Sequence, residues 1–168
     1  MQRPSKDKYY LNIAKAVGQR STCLRRKFGA VIVVDDAIVS TGYNGTARGV
    51  VNCNEVGCAK DLANAPRYGA YEYCPAVHAE ENAIINAARN GVKVMGGTLY
   101  VVAKTPDGRS VPSHPCDRCK RVIINAGIKK VVTEDEKGNI IVYNVEDWIK
   151  EDTEKYIKLI ESLKKKNS

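Results

Sequence analysis

Residues 98–133 read TLYVVAKTPDGRSVPSHPCDRCKRVIINAGIKKVVT, and they set the architecture. Thr98–Ala103 reads as a strand. Lys104–His114 carries Pro106-Asp107-Gly108 and reads as a loop or short ribbon. Pro115 opens and Gly127 closes a helix over Cys116–Ala126, the usual placing of proline and glycine at helix ends. Lys130–Thr133 is a second strand. Strand, helix and strand in that order imply parallel strands joined by a helical crossover.

Outward from this unit the pattern continues. Asn139–Tyr143 is a further strand. Asn144 caps a last helix over about 145–163, whose apolar stripe is Val145, Trp148, Ile149, Tyr156, Ile160 and Leu163. On the other side, His78–Asn90 is alanine-rich, with Ala83, Ile84, Ala87 and Ala88 grouped and Gly91 as its cap. Phe28–Val34 is a nearly continuous β-branched run, and Asp35-Asp36 turns it into Ala37–Thr41 as a hairpin. Ser5 precedes a helix over 6–19. Residues 46–77 fit no element well and hold three cysteines, so this Cys-rich insertion needs a staple. The reading is an α/β fold: one domain over 1–168, with a mixed sheet and helices on both faces, a three-layer α/β/α sandwich.

Composition narrows the function. The 168 residues are 43% hydrophobic and 27% charged, which is globular rather than disordered. No run approaches the ~20 apolar residues of a membrane span. The polar start, Met1 to Lys8, lacks the apolar centre of a signal peptide, so a cytoplasmic setting is expected. Six cysteines in a reducing compartment point to metal or catalysis rather than disulfides. Of the net charge of +8, residues 1–30 alone carry +7. A local cluster of that kind suits an anionic ligand such as a phosphate, or a nucleic-acid face.

The chemistry lies in His78-Ala79-Glu80 and Pro115-Cys116-Asp117-Arg118-Cys119, each at the start of an expected helix. Cys116 and Cys119 are three apart and share a helix face. Two thiolates and one imidazole are zinc ligands, and three protein ligands leave a fourth tetrahedral position open, the catalytic arrangement. Two helix N-termini stabilise thiolates there. Glu80 lies roughly 200° around the helix from His78, so it serves better as a proton carrier than as a ligand.

At these residues the chain resembles the zinc-dependent cytidine deaminase superfamily, whose signature is H-x-E followed by P-C-x-x-C. More narrowly it is similar to deoxycytidylate deaminases. The strings carrying this are Arg20-Ser21-Thr22-Cys23, Phe28-Gly29-Ala30-Val31-Ile32-Val33, Gly42-Tyr43-Asn44-Gly45, His78 to Ile84, Pro115 to Cys119, and Ile124-Asn125-Ala126-Gly127-Ile128. The resemblance implies a cytidine deaminase-like five-stranded mixed sheet between helices. It implies a catalytic zinc on His78, Cys116 and Cys119, with Glu80 as proton shuttle. Asn44 would contact the sugar, Arg25 the 5′-phosphate, with Arg20 and Arg26 nearby. Gly42, Tyr43, Asn44 and Gly45 match a segment that takes part in dCTP/dTTP control. The implied partners are a deoxynucleoside monophosphate, such an effector, and copies of the chain in a homo-oligomer, a hexamer or smaller. Neither nucleic acid nor membrane is expected.

The chain departs from the family pattern in its longer Lys104–His114 link. It also carries Thr133 to Gly138 where many members have a Tyr- and Arg-containing stretch. Cys23, Cys53, Cys58 and Cys74 remain, the full count for a second, structural zinc, and several relatives hold one in this region. Buried thiols are the plainer alternative. His114 reads as an incidental loop histidine, Trp148 and Tyr156 as core, and Lys164-Lys165-Lys166 as a frayed tail. The expected activity is hydrolytic deamination of dCMP to dUMP and ammonia. The competitors are a deaminase acting on a base in tRNA or DNA, a pterin- or riboflavin-precursor deaminase, and a non-catalytic zinc-stabilised binding module.

Overall fold

The computed structural model describes residues 2–66 and 69–166. Helix α1 (Lys6–Gly18) begins where the Ser5 hydroxyl accepts a hydrogen bond from the Lys8 backbone, satisfying a donor that every helix start leaves open. Strands β1 (Lys27–Val34) and β2 (Ala37–Tyr43) follow as an antiparallel hairpin. Asp35 and Asp36 both take positive φ, 49° and 63°, the left-handed pair that a two-residue hairpin turn needs.

The segment expected to lack structure contains five short pieces. These are β3 (Gly45–Thr46), α2 (Cys53–Val56), α3 (Ala59–Leu62), a 3-10 turn at Tyr71–Tyr73 and β4 (Ala76–Val77). Pieces of two to four residues are shorter than the windows over which periodicity is visible, which is why the sequence pattern hides them. The longer elements resume with α4 (Ala79–Arg89), β5 (Thr98–Lys104), the ribbon β6 (Ser110–Val111) and α5 (Asp117–Asn125). They end with β7 (Lys130–Glu134), β8 (Ile140–Asn144) and α6 (Val145–Lys166).

The main sheet runs β2-β1-β5-β7-β8, with β6 added beside the end of β5. Only β5 and β7 are parallel, with Leu99 opposite Val131, because α5 carries the chain back over the sheet between them. The other neighbours are antiparallel. The expected five-stranded mixed sheet is therefore present, and α5 is its single helical crossover between parallel strands.

Strand alternation divides the core in two. Val31, Tyr100, Val102 and Val132 face α1, where Leu11 and Ala14 are fully buried. Ala30, Ile32, Leu99, Val101 and Val131 face Ala79 and Ala83 of α4, Ile123 of α5 and Trp148 of α6. Each large aliphatic side chain buried this way contributes roughly 1.5–3 kcal/mol. The sheet thus acts as a rigid floor for α4 and α5, the two helices that start at the site.

Strand β2 holds α4 at close range. A Cβ on Gly42 would collide with the backbone of Ala79 and Ala83, so no other residue lets the two elements lie so near. Ser40 Oγ donates to the Ala83 carbonyl at 2.6 Å, and Asn82 and Asn86 donate back to the Tyr43 and Thr41 carbonyls at 2.7 and 2.8 Å.

Three expectations are corrected here. The last helix runs to Lys166, so Lys164 and Lys165 are helical rather than frayed. Trp148 is core, but Tyr156 is 66% exposed, since α6 has left the domain surface by that point. Half of the N-terminal cations are also paired within the molecule. Lys8 and Lys15 both hold the buried Glu134, at 2.8 and 2.7 Å, Lys6 pairs with Asp36 at 2.6 Å, and Arg25 with Asp61 at 3.2 Å. Among the described residues, no helix is long and apolar enough to cross a membrane.

Candidate active site

Helices α4 and α5 both begin at one corner of the sheet, and their cap residues meet there. His78 is the N-cap of α4, and its backbone N–H donates to Glu81 Oε2 at 2.9 Å. Cys116 is the N-cap of α5, and Cys119 lies one turn on, fully buried. His78 Nδ1 is 3.2 Å from Cys119 Sγ and 3.5 Å from Cys116 Sγ. Among the described residues this is the one His/Cys/Asp/Glu group whose donor atoms all lie within 4.8 Å of one another.

The donor set fits zinc: two thiols and an imidazole nitrogen, already converged, with both helix dipoles favouring anions. Hydrogen bonds from Cys119 and His78 hold the Cys116 thiol at about 3, against the pull of burial, so Cys116 is the resident thiolate. Cys119 is pushed up because its hydrogen is given to Cys116, and its burial adds to this. His78 is raised by the same hydrogen bond to Cys116, which outweighs its burial. The corner thus balances one thiolate with donated protons, and a metal ion would displace those protons.

Glu80 is 4% exposed and lines the same cavity as His78 and Cys116. Its carboxyl is raised chiefly by desolvation, so protonated and ionised forms lie closer in energy than for a carboxyl in water. The cavity measures about 280 Å³. Its wall also includes Arg25, Arg26, Phe28, Asn44, Cys23 and Cys74.

Asn44 has nearly all of its hydrogen bonds within the protein. Its Oδ1 accepts from Ser21 Oγ at 2.7 Å and from the Phe28 N–H at 2.8 Å, and its Nδ2 donates to the Arg26 carbonyl at 2.9 Å. Both Oδ1 lone pairs are used, and the amide nitrogen also donates to the Cys23 sulfur. Arg20 is exposed and does not line the cavity, because α1 has ended at Gly18 and Arg20 lies in the turn beyond it. Of the segment 42–45, Gly42 and Gly45 are buried in strands and only Tyr43 is exposed, at 37%.

Three residues that the sequence left aside belong to this cavity. Tyr71 donates its hydroxyl to Cys116 Sγ at 3.7 Å and carries the Arg118 guanidinium over its ring at 4.7 Å. Arg118 in turn pairs with Glu81 at 2.8 Å. Lys60 is 7% exposed, and its ammonium donates to the Gly69 carbonyl at 2.6 Å. His114, read as incidental, lines the cavity and stacks edge-on against Tyr143 and Trp148, at 4.9 and 6.0 Å between centroids. No periodicity flags Lys60 or Tyr71, because each sits in a piece of three or four residues. The position of His114, directly before Pro115-Cys116, was the available signal for that residue.

Cys23, Cys53, Cys58 and Cys74 gather on the same side. Burial raises Cys53, and the nearby sulfurs of Cys23, Cys58 and Cys74 raise it further. Cys23 is likewise raised by burial and by Cys74, against the backbone N–H of Arg25. These four sulfurs share a neighbourhood but do not form a closed group of the His78 kind.

Comparison with known proteins agrees with this chemistry. The family described as "Cytidine and deoxycytidylate deaminase zinc-binding region" matches residues 4–135. The deoxycytidylate deaminase of Mycobacterium phage D29 is 39% identical over 141 residues, 81% of this chain and 99% of that one. That of Schizosaccharomyces pombe is 37% identical over 77% of this chain, which spans only 37% of the yeast protein's length. Among solved structures, the dCMP deaminase of cyanophage S-TIM5 in complex with dCMP and dUMP superposes with a TM-score of 0.60 at 27% identity. That superposition covers 80% of this chain and 85% of that one. This chain therefore belongs to the cytidine and deoxycytidylate deaminase family.

Proposed function

We propose that this chain hydrolyses dCMP to dUMP and ammonia. The observation that carries the reading is a cavity lined by a buried carboxyl, Glu80, by His78 and Cys116 of the His78, Cys116 and Cys119 donor group, and by Arg25 and Arg26. His78 Nδ1 and the sulfurs of Cys116 and Cys119 would hold a zinc ion, which would supply Lewis acidity and lower the pKa of a water toward ~7.

The chain's own residues do the rest. Glu80 accepts a proton from the attacking water and passes it to N3 of the cytosine; it then takes the remaining proton from the hydroxyl added at C4 and delivers it to the departing N4. A C–O bond forms at C4, the C4–N4 bond breaks, and ammonia leaves with no redox change. Burial of Glu80 suits both halves of that cycle, since a carboxyl moved toward neutral pH gives and takes a proton with similar ease. Asn44 Nδ2 exchanges its bond to the Cys23 sulfur for a sugar hydroxyl, while its bonds to Ser21, Phe28 and Arg26 keep the amide from turning away. Arg25 and Arg26 neutralise the 5′-phosphate, and Lys60 adds a third cation to that wall. Arg25 exchanges Asp61 for the phosphate, an inexpensive step because Asp61 is 55% exposed.

Cys23, Cys53, Cys58 and Cys74 would hold a second zinc, which would fix the short elements around them. The closeness of Cys23, Cys58 and Cys74 to Cys53, and of Cys74 to Cys23, supports this. An effector such as dCTP or dTTP would meet Tyr43, the exposed member of its segment. Self-association is also expected from the apolar exposure of β8 and α6.

Ammonia release measured across dCMP, CMP, deoxycytidine and a tRNA anticodon stem tests the reading. Turnover of dCMP in preference to the others is expected. Release from the tRNA stem alone, or from none of the four by zinc-loaded protein, would overturn it.

A further inference from the structure

Helix α6 is longer than the domain needs. Val145 and Trp148 are its only buried residues, so 149–166 form five turns with no buried side chain. A helix of that length without tertiary support is marginal in water. It also carries an apolar seam. Ile149, Thr153, Tyr156, Ile160 and Leu163 recur at intervals of four, three, four and three, the spacing of a coiled-coil contact face. Ile149, Tyr156 and Leu163 are 46%, 66% and 45% exposed, and Ile157 and Leu159 widen the strip at 52% and 51%. The family match covers residues 4–135, and the helix lies beyond it.

The charges on α6 are sorted along its length. Residues 145–155 hold Glu146, Asp147, Glu151, Asp152 and Glu154 against Lys150 and Lys155, a net of −3. Residues 156–166 hold Lys158, Lys164, Lys165 and Lys166 against Glu161, a net of +3. A parallel partner of the same sequence would set like charge against like. An antiparallel one sets each acidic half against a basic half along the whole seam.

We propose that α6 pairs antiparallel with α6 of a second copy of this chain, through a two-fold contact in which each helix supplies the same face. The seam furnishes the apolar interface, and the sorted charges fix the direction. The pairing stands apart from the deaminase reading, because α6 beyond Trp148 does not line the cavity. It is read by mass, while that reading is read by ammonia release.

Light scattering on the full chain tests it. The wild type is expected at an even multiple of 18.5 kDa. Ile160→Glu with Leu163→Glu should halve that mass, while fluorescence of Trp148, the only tryptophan, stays native and reports an intact helix base. Lys164→Glu, Lys165→Glu and Lys166→Glu together make the helix acidic throughout and should also halve the mass. Glu146→Lys, Asp147→Lys and Glu151→Lys make it basic throughout and should do the same. An equal mixture of those two charge variants should recover the full mass. The proposal is overturned by a wild-type monomer, by variants that keep the full mass, or by a mixture that stays halved. It is equally overturned if Val142→Lys on the exposed edge strand β8 halves the mass while the α6 variants do not.

Discussion

The molecule holds two sulfur-rich regions, and they are built in different ways. At His78, Cys116 and Cys119, two regular helices of eleven and nine residues deliver the donors from their first turns. Both helices are fixed to the sheet by fully buried residues such as Ala83 and Ile123, so the donors converge through packing alone. Cys53 lies in the four-residue α2, Cys58 and Cys74 flank pieces of four and three residues, and Cys23 lies outside any element, with none of the four fully buried. The first region is organised by the core before any ion arrives. The second would rely on the proposed zinc for its organisation. A site that must activate a reaction gains from the first arrangement, because preset geometry costs no reorganisation when the reaction occurs. A staple needs only the second.

Substitutions at the two regions should therefore fail in opposite ways. The largest effect falls on Glu80. Glu80→Gln keeps shape and hydrogen bonding but removes the proton carrier, so kcat for dCMP should fall about 10²–10⁴-fold. Bound zinc, read by metal analysis, and the melting temperature should stay near wild type. A variant that kept full turnover would remove Glu80 from the mechanism. Cys116→Ser comes next: turnover and one zinc per chain are lost, yet the fold survives because the sheet does not depend on that ion. Cys53→Ser should reverse the pattern, with a clear drop in melting temperature and early loss of protease resistance over 46–77. Equal loss of fold in both cysteine variants would erase the distinction between the regions.

The same contrast explains what the residues alone disclosed. Helices and strands of five residues or more follow periodicity, and their order was legible from residue 6 to the last helix. The zinc corner was legible because its ligands cap such helices. Lys60 and Tyr71 were hidden because their elements are too short to show a period, and their place in the cavity comes from tertiary folding of 53–77. Arg20 illustrates the reverse case. Its string matched the family, yet one turn beyond the end of α1 was enough to leave it exposed. The basic excess of the first thirty residues looked like ligand affinity, but half of those cations turn out to have internal carboxylate partners. Net charge counts partners no better than composition does.

Gly42 links the floor to the reactive corner, so it yields a smaller but sharper effect. Gly42→Ala pushes a Cβ into the backbone of Ala79 and Ala83, one and five residues from His78. Overpacking of this kind costs about 1–3 kcal/mol, which urea denaturation will read. Since α4 must shift as a body, kcat should fall as well, whereas an equally destabilising change under α1 should leave it intact. Leu11→Ala provides that control, because Leu11 packs on the opposite face of the sheet.

The smallest expected effect concerns Glu134, which ties β7 to α1 on the face away from the site. Burial alone would raise its carboxyl, but hydrogen bonds from Lys15 and Lys8 outweigh that and hold it below the ordinary glutamate value. A carboxyl depressed in the folded state binds its proton more readily once the chain unfolds. Its contribution is therefore fully present above the ordinary value near ~4.3 and is lost as pH falls through the lower, folded one. Glu134→Gln should remove that acid-side slope from a plot of stability against pH and cost about 0.5–1.5 kcal/mol at neutral pH. Zinc content and dCMP turnover should not change. An unchanged acid slope in the variant would mean that Lys8 and Lys15 are held by the packing of α1 rather than by charge. The opposite face of the sheet would then owe its stability to apolar burial alone.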